Sequence, residues 1–241
     1  MSLSPDTVKA WVWWSKNYGP WIEAYKAEPE LFTRYRAHIF HFTITGLEDL
    51  ESVKASLDDR LNQIHFLSKL GKVVVRFDPI TRYRDEKGVL HSNWVLAQEL
   101  IPRFKAAGAH EVEFKFCVPY AGSVKRVVQR GMQLESFPSE RKRAIVRELM
   151  GICAKVNIPL RACCPLPDEI VEGLQIGACV DGDAINKLLG EETEVGLKKD
   201  KGQRPRCKCV ASKDIGSYRM KCPHKCAYCY AQPGIINPDF L

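Results

Sequence analysis

The sequence contains no run of about eighteen apolar residues, so it offers no candidate for a membrane-spanning helix. Met1 to Tyr18 lack a basic head followed by an apolar stretch and a cleavage site, and no secretory leader is expected. Compositional extremes are missing as well. With 45% apolar and 27% charged residues, the chain is neither collagen-like, nor a disordered tail, nor a coiled coil. Its 241 residues suffice for one large domain, or for one domain with a small appendage.

Acidic residues are scarce in one region. The net charge is +7, but residues 198–225 hold ten basic side chains (Lys198, Lys199, Lys201, Arg204, Arg206, Lys208, Lys213, Arg219, Lys221 and Lys225) against Asp200 and Asp214. That window carries +8 and the remainder −1. Such a basic segment can contact nucleic-acid phosphates. It can equally balance thiolates packed around a metal, because positive neighbours favour the thiolate form.

Cysteine is abundant, with ten in all, and five of them fall between Cys207 and Cys229. In a reducing compartment, here expected to be the cytoplasm, clustered cysteines hold metal more often than they form disulfides.

Along the chain, strand-like and helix-like segments alternate. Ala10–Trp14, His38–Ile44, Val73–Phe77, Val112–Val118 and Asn157–Cys163 read as strands. Helices are expected over Trp21–Lys26, from Leu57 to Leu70 with Gly71 as C-cap, and around Trp94–Phe104 with a kink or break at Pro102. Further helices are expected from about Ser123, over Ser139–Ala154, and as short pieces over Pro167–Leu174 and Asp181–Leu189. Alternation of this kind argues for parallel β/α units. A doubly wound sheet and a barrel both fit. With about five good strands, the first choice is a partial or permuted (β/α) barrel over residues 1–197, carrying an irregular, basic, cysteine-rich segment over residues 198–241.

Barrel enzymes place ligand-binding groups at the C-terminal ends of their strands. Arg76 and Asp78 hold that position on the third strand and are the candidate catalytic pair, though they could merely tie down a loop. Lys16 and Asn17 follow the first strand and are candidates for contacting a cofactor; Lys115, Tyr120 and Arg161 sit near comparable positions. His38 and His41, three apart in one strand, face opposite sides and make a poor metal pair.

The tail reads Cys207-Lys208-Cys209 and then Cys222-Pro223-His224-Lys225-Cys226-Ala227-Tyr228-Cys229. Short spacings let one loop wrap its thiolates around one centre, as iron–sulfur clusters require. Cys207, Cys209, Cys226 and Cys229 could also form a four-thiolate zinc site. Spacing alone does not separate these readings. Cys163, Cys164 and Cys179 could approach Cys207 and Cys209 in space, while Cys117 and Cys153 read as small apolar filler.

The order C-x3-C-x2-C, with an aromatic before the last cysteine, resembles the signature of radical S-adenosylmethionine enzymes; Cys-Ala-Tyr-Cys-Tyr is also similar to the motif region of spore photoproduct lyase. That resemblance implies a [4Fe-4S] cluster on Cys222, Cys226 and Cys229, with Tyr228 packed beside S-adenosylmethionine. It further implies reductive cleavage of that cofactor to a 5′-deoxyadenosyl radical, an electron donor of reductase or ferredoxin type, and a small-molecule substrate. In most such enzymes the cysteine loop follows the first strand; here it lies at the far end of the chain.

From Leu3 to Ala231 the chain also resembles a bacterial family known only as domain of unknown function 1848. The resemblance rests on Trp13-Trp14-Ser15-Lys16-Asn17, Phe42-Thr43-Ile44-Thr45-Gly46, Arg76-Phe77-Asp78-Pro79-Ile80, and the block from Cys207 to Tyr218 with the cysteine loop after it. It implies an additional N-terminal strand–helix unit, after which a chain beginning Met1-Ser2-Leu3 is expected to start, and hence an exposed sheet edge. The leading expectation is a radical enzyme or a descendant of one. The competing readings are a zinc-stabilised binding protein, with nucleic acid as one partner, and an iron–sulfur electron-transfer or sensing protein.

Overall fold

The computed structural model describes residues 3–190, 194–216 and 222–229. Its elements, in chain order, are β1 (Ala10–Ser15), α1 (Gly19–Ala27), α2 (Glu30–Thr33), β2 (Ala37–Thr43), α3 (Leu57–Leu67), β3 (Lys72–Ile80), β4 (Arg82–Arg84) and β5 (Leu90–Ser92). They continue with α4 (Ala97–Ala106), β6 (Glu111–Phe116), α5 (Ala121–Val128), β7 (Gln133–Glu135), α6 (Ser139–Lys155), β8 (Leu160–Cys163), β9 (Gln175–Gly177) and α7 (Gly182–Leu189).

Six strands form one sheet in the order β1-β2-β3-β6-β8-β9, and every neighbouring pair is parallel. Spatial order therefore follows chain order without a reversal. A doubly wound sheet reverses its strand order at a switch point, so this topology is the wall of an open barrel. Among the described residues the wall does not close, and β1 and β9 are its edges. The expected partial barrel is thus observed, with one strand more than the sequence pattern suggested: β9 is only three residues long and follows a single helical turn, Pro167–Glu169, where a longer helix was expected.

The period of two along each strand divides the side chains between two faces. Phe40, Phe42, Val73, Val75, Val112, Phe114 and Phe116 meet Ile64, Leu67, Leu100, Phe104, Ile145 and Leu149, so α1, α3, α4 and α6 cover one face with a continuous core. On the other face α7 packs Ile185 and Leu189 onto Ala37, Ile39 and Val74. Toward the strand C-termini this second face turns polar, with His41, Arg76, Glu113 and Cys163.

Local chemistry fixes the helix ends. Ser56 and Asp59 exchange hydrogen bonds as a capping box on α3, and the Asp181 carboxylate accepts the Ala184 N–H at the start of α7. Pro102 lies inside α4 without ending it. The carbonyl it leaves without a partner belongs to Gln98, which is exposed and can turn to water. Gly71 is not a left-handed cap. A Cβ there would meet the His38 carbonyl oxygen at 2.3 Å, so the glycine permits a close backbone approach.

A second sheet, β5-β4-β7, is antiparallel. With α5 and the turn Glu48–Leu50 it encloses a small core of Leu47, Leu50, Tyr83 and Val127, whose remaining buried member is Ala227 of the cysteine loop. The loop is thus built into the protein.

Candidate functional site

Two groups of cysteines lie along the C-terminal rim of the large sheet. The first is the loop from Cys222 to Cys229. Its backbone is held at four points: Ala227 N–H donates to the Leu50 carbonyl at 2.8 Å, Ser52 N–H to His224 at 2.7 Å, Arg130 Nη2 to Lys225 at 2.7 Å and Arg126 Nε to Ala227 at 3.2 Å. Arg126 also donates to the Cys229 carbonyl. The anchors come from the connection after β2, from α5 and from the turn that follows α5.

Side chains bind the same loop to the end of β1. Lys16 Nζ donates to Glu51 Oε2 at 2.6 Å and stands 5.5 Å from the centre of the Tyr228 ring. The Tyr228 hydroxyl donates to Glu51, and Cys226 Sγ lies 3.9 Å from the same carboxylate. Thr45 takes the other oxygen of Glu51 at 2.9 Å. Burial and the Glu51 charge raise the Tyr228 pKa well above its ordinary value, which keeps the phenol protonated as the donor. Burial pushes the Cys226 thiol up to about 11 against the pull of Lys16. Asn17, by contrast, spends its amide oxygen on the Gly19 N–H and the Gln63 amide, each at 2.9 Å, and so fixes the entry to α1.

The second group lies at the ends of β8 and β9. Cys163 Sγ and Cys179 Sγ are 3.6 Å apart, and with a Glu113 carboxylate oxygen they gather within 4.8 Å. Cys209 accepts the Val180 N–H at 3.4 Å, one residue beyond Cys179, and the nearby Cys179 thiol lowers the Cys209 pKa. Cys207 Sγ accepts the Cys209 N–H at 3.5 Å. Cys207 and Cys209 lie on a hairpin that is closed by Asp200 N–H to the Cys209 carbonyl at 3.0 Å and docked by Val210 N–H to Val180 at 3.0 Å.

Arg76 is the hub of this second group. Its Nη1 reaches Glu113 at 3.2 Å and Cys179 Sγ at 2.9 Å, while its Nη2 donates to Asp78. Burial opposes the charge on Arg76, but Asp78 and Glu113 outweigh it and hold the guanidinium protonated. Burial raises the Glu113 pKa, with Arg76 pulling the other way. His41 is neutral, its pKa lowered to about 3 by burial and by Arg76. Its Nε2 meets the Cys179 carbonyl at 2.7 Å, while its buried Nδ1 has no hydrogen-bond partner and sits 3.7 Å from Glu113. Trp14, half exposed, stacks on the same ring at 5.1 Å.

The structure therefore gathers Lys16 with Tyr228 and Cys226, and Arg76 and Asp78 with Glu113 and Cys179. Cys207 and Cys209 lie with Cys179 beside β9, whereas Cys226 lies with Glu51 after β2. His38 and His41 point to opposite faces, as their spacing requires. Lys115 lies on the same face as Glu113 and makes no ion pair with a described residue. Glu51, Glu113 and Arg126 were missed by sequence reasoning. Glu113 had left a signal: it alternates with Val112 and Phe114 in a strand whose parallel neighbours bury both faces. The link of Glu51 and Arg126 to the cysteine loop rests on contacts with a segment more than a hundred residues away. Arg219 and Lys221 of the basic window, and Tyr230 of the motif, lie outside the described residues.

An all-parallel sheet wound in one direction, with cysteines assembled along its C-terminal rim, defines an open β/α barrel with two groups of thiols at that rim. The chain belongs to the family described as Domain of unknown function (DUF1848), whose model matches residues 1–231. No curated protein and no solved structure matches the chain. No helix among the described residues is long and apolar enough to cross a membrane.

Proposed function

We infer that the protein is an iron–sulfur enzyme of the radical S-adenosylmethionine type, with Cys222, Cys226 and Cys229 as the cluster ligands. One observation supports this reading above the others. The cysteine loop comes last in the chain, yet it is seated against Lys16, directly after β1, and against the connection that follows β2. That is the rim where the resemblance calls for a cysteine loop, reached from the other end of the sequence.

The donor set fits such a cluster. Three cysteines of one short loop are partly accessible. Lys16 and Arg126 lie near enough to Cys226 and Cys229 to offset negative charge. When bound, the cluster supplies the electron that splits S-adenosylmethionine into methionine and a 5′-deoxyadenosyl radical.

The chain's own residues have separable tasks. Arg126 and Arg130 hold the loop through its carbonyls. Glu51 orients Tyr228 and Lys16, so the aromatic and the ammonium face one locus. Arg76 and Asp78 form a fixed pair on the same rim, and Lys115, which makes no ion pair with a described residue, offers a cation to an anionic substrate. Trp14 presents an exposed aromatic face on which a planar ligand can stack. The substrate is a small molecule admitted at this rim.

Anaerobic reconstitution tests the reading. Addition of S-adenosylmethionine and a reductant should release 5′-deoxyadenosine. A cluster-bearing protein that releases none is an electron carrier or sensor instead. Zinc on this loop without iron would make the protein a metal-stabilised binding module, and strongly salt-dependent DNA binding would then identify nucleic acid as its partner.

A further inference from the structure

We propose that Cys163, Cys179, Cys207 and Cys209 form a second metal centre, separate from the three-cysteine loop, that holds a single zinc ion through four thiolates. The proposal does not depend on the radical chemistry inferred above.

The argument starts from spacing. Zinc–sulfur bonds are about 2.3 Å long, so two thiolates on one tetrahedral ion stand about 3.8 Å apart. Cys163 and Cys179 are 3.6 Å apart, close to that edge and far beyond the roughly 2.05 Å of a disulfide. A four-iron cluster puts each thiolate on a different iron and would hold these two sulfurs farther apart. Cys209 stands next to the group, accepting at 3.4 Å the N–H of Val180, the residue after Cys179, and Cys207 follows through the turn in which the Cys209 N–H points at its sulfur. Both lie outside the 4.8 Å gathering, so the ion would draw the hairpin inward.

The surroundings suit a negatively charged thiolate group. Val180 N–H and Cys209 N–H donate to sulfur, and Arg76 brings a guanidinium to 2.9 Å from Cys179. Such outer partners orient metal ligands and tune them. Lys208 lies between the two hairpin cysteines in sequence. Arg76 holds Glu113 through Oε2, and Glu113 Oε1 stands 3.9 Å from Cys179 Sγ. The fourth position is given to Cys207, which shares the hairpin with Cys209, and the Glu113 and Cys207 variants below separate the two.

The centre also has a structural rationale. It joins the ends of β8 and β9 to the hairpin near Cys207–Val210. Beyond one isolated backbone bridge between Lys199 and Val210, that hairpin has no ladder of its own among the described residues. A four-thiolate zinc site would fix the edge of an open barrel.

The test is metal analysis of the full chain purified anaerobically. The expected result is about one zinc per chain, lost at least fivefold in Cys163→Ser and in Cys209→Ser, with iron unchanged. Cys222→Ser and Cys226→Ser should do the reverse. Glu113→Gln should keep its zinc. To guard against misfolded variants, a chain with Cys222, Cys226 and Cys229 all changed to serine would be loaded with cobalt(II), which should show intense near-ultraviolet thiolate-to-metal absorption. Zinc insensitive to Cys163 and Cys209, iron at this group, a Cys163–Cys179 disulfide in the native protein, or loss of zinc in Glu113→Gln but not in Cys207→Ser would each overturn the proposal.

Discussion

The guanidinium of Arg76 stands 2.9 Å from the thiol of Cys179, a residue 103 positions further along the chain, and the same nitrogen holds Glu113. The strand that carries Arg76 is thereby tied to the far edge of the sheet through charge. Removing one partner of a buried ionic group leaves the others unpaired. Arg76→Ala is expected to cost about 3–5 kcal/mol in chemical denaturation, and adding Glu113→Gln should recover part of that loss. A cost under about 1 kcal/mol would mean that the group is solvated.

Arg126 acts through the loop backbone. Arg126→Ala should speed the loss of iron to a chelator severalfold with little change in unfolding midpoint, and Arg126→Lys should restore it in part, because one ammonium can still reach a carbonyl. Equal chelation rates in all three proteins would remove Arg126 from the cluster's support.

Two glycines should respond in opposite directions. Gly71→Ala drives a methyl group into the His38 carbonyl and should destabilise by about 1–3 kcal/mol. Gly151→Ala, inside α6 with open space around it, should stabilise by about 0.5–1 kcal/mol. Thermal melts of both variants check the pair, and a neutral Gly71→Ala would contradict the close packing of α3 and β3 against β2.

His38 sets a direction for pH. Trp13 Nε1 donates to its Nδ1 at 3.2 Å, and its Nε2 faces the Phe32 carbonyl at 3.1 Å, so the ring is neutral. Burial lowers its pKa although the Phe32 and Tyr35 carbonyls oppose the shift. Below a pH of about 6.5 the unfolded chain takes up a proton that the folded ring refuses, so stability falls as pH drops. A single histidine contributes at most about 1.4 kcal/mol per pH unit. Urea midpoints should fall between about pH 7.5 and about pH 5.5, and fall less in His38→Gln. An identical decrease in the variant would show that other groups carry the effect.

Much of the scaffold was legible in the sequence. Alternating strand and helix periods located the first five strands of the sheet and its larger helices, since those signals are local. The antiparallel sheet was invisible because its strands are three residues each and gain their stability from long-range contacts. The cysteine loop was visible from spacing, but its seat was not, because Leu50, Glu51 and Arg126 carry no periodic or motif signal of their own. The approach of Cys163 and Cys179 to the hairpin cysteines was open to expectation from the sequence, but its geometry depends on β9, a strand too short to recognise.

Iron content and product formation together test the central claim most directly. After anaerobic reconstitution the native protein should hold about four irons on its C-terminal loop and release 5′-deoxyadenosine when given S-adenosylmethionine and a reductant. In Cys226→Ser both should collapse. Full iron retention in that variant, or a loop that takes only zinc in the native chain, would contradict the assignment.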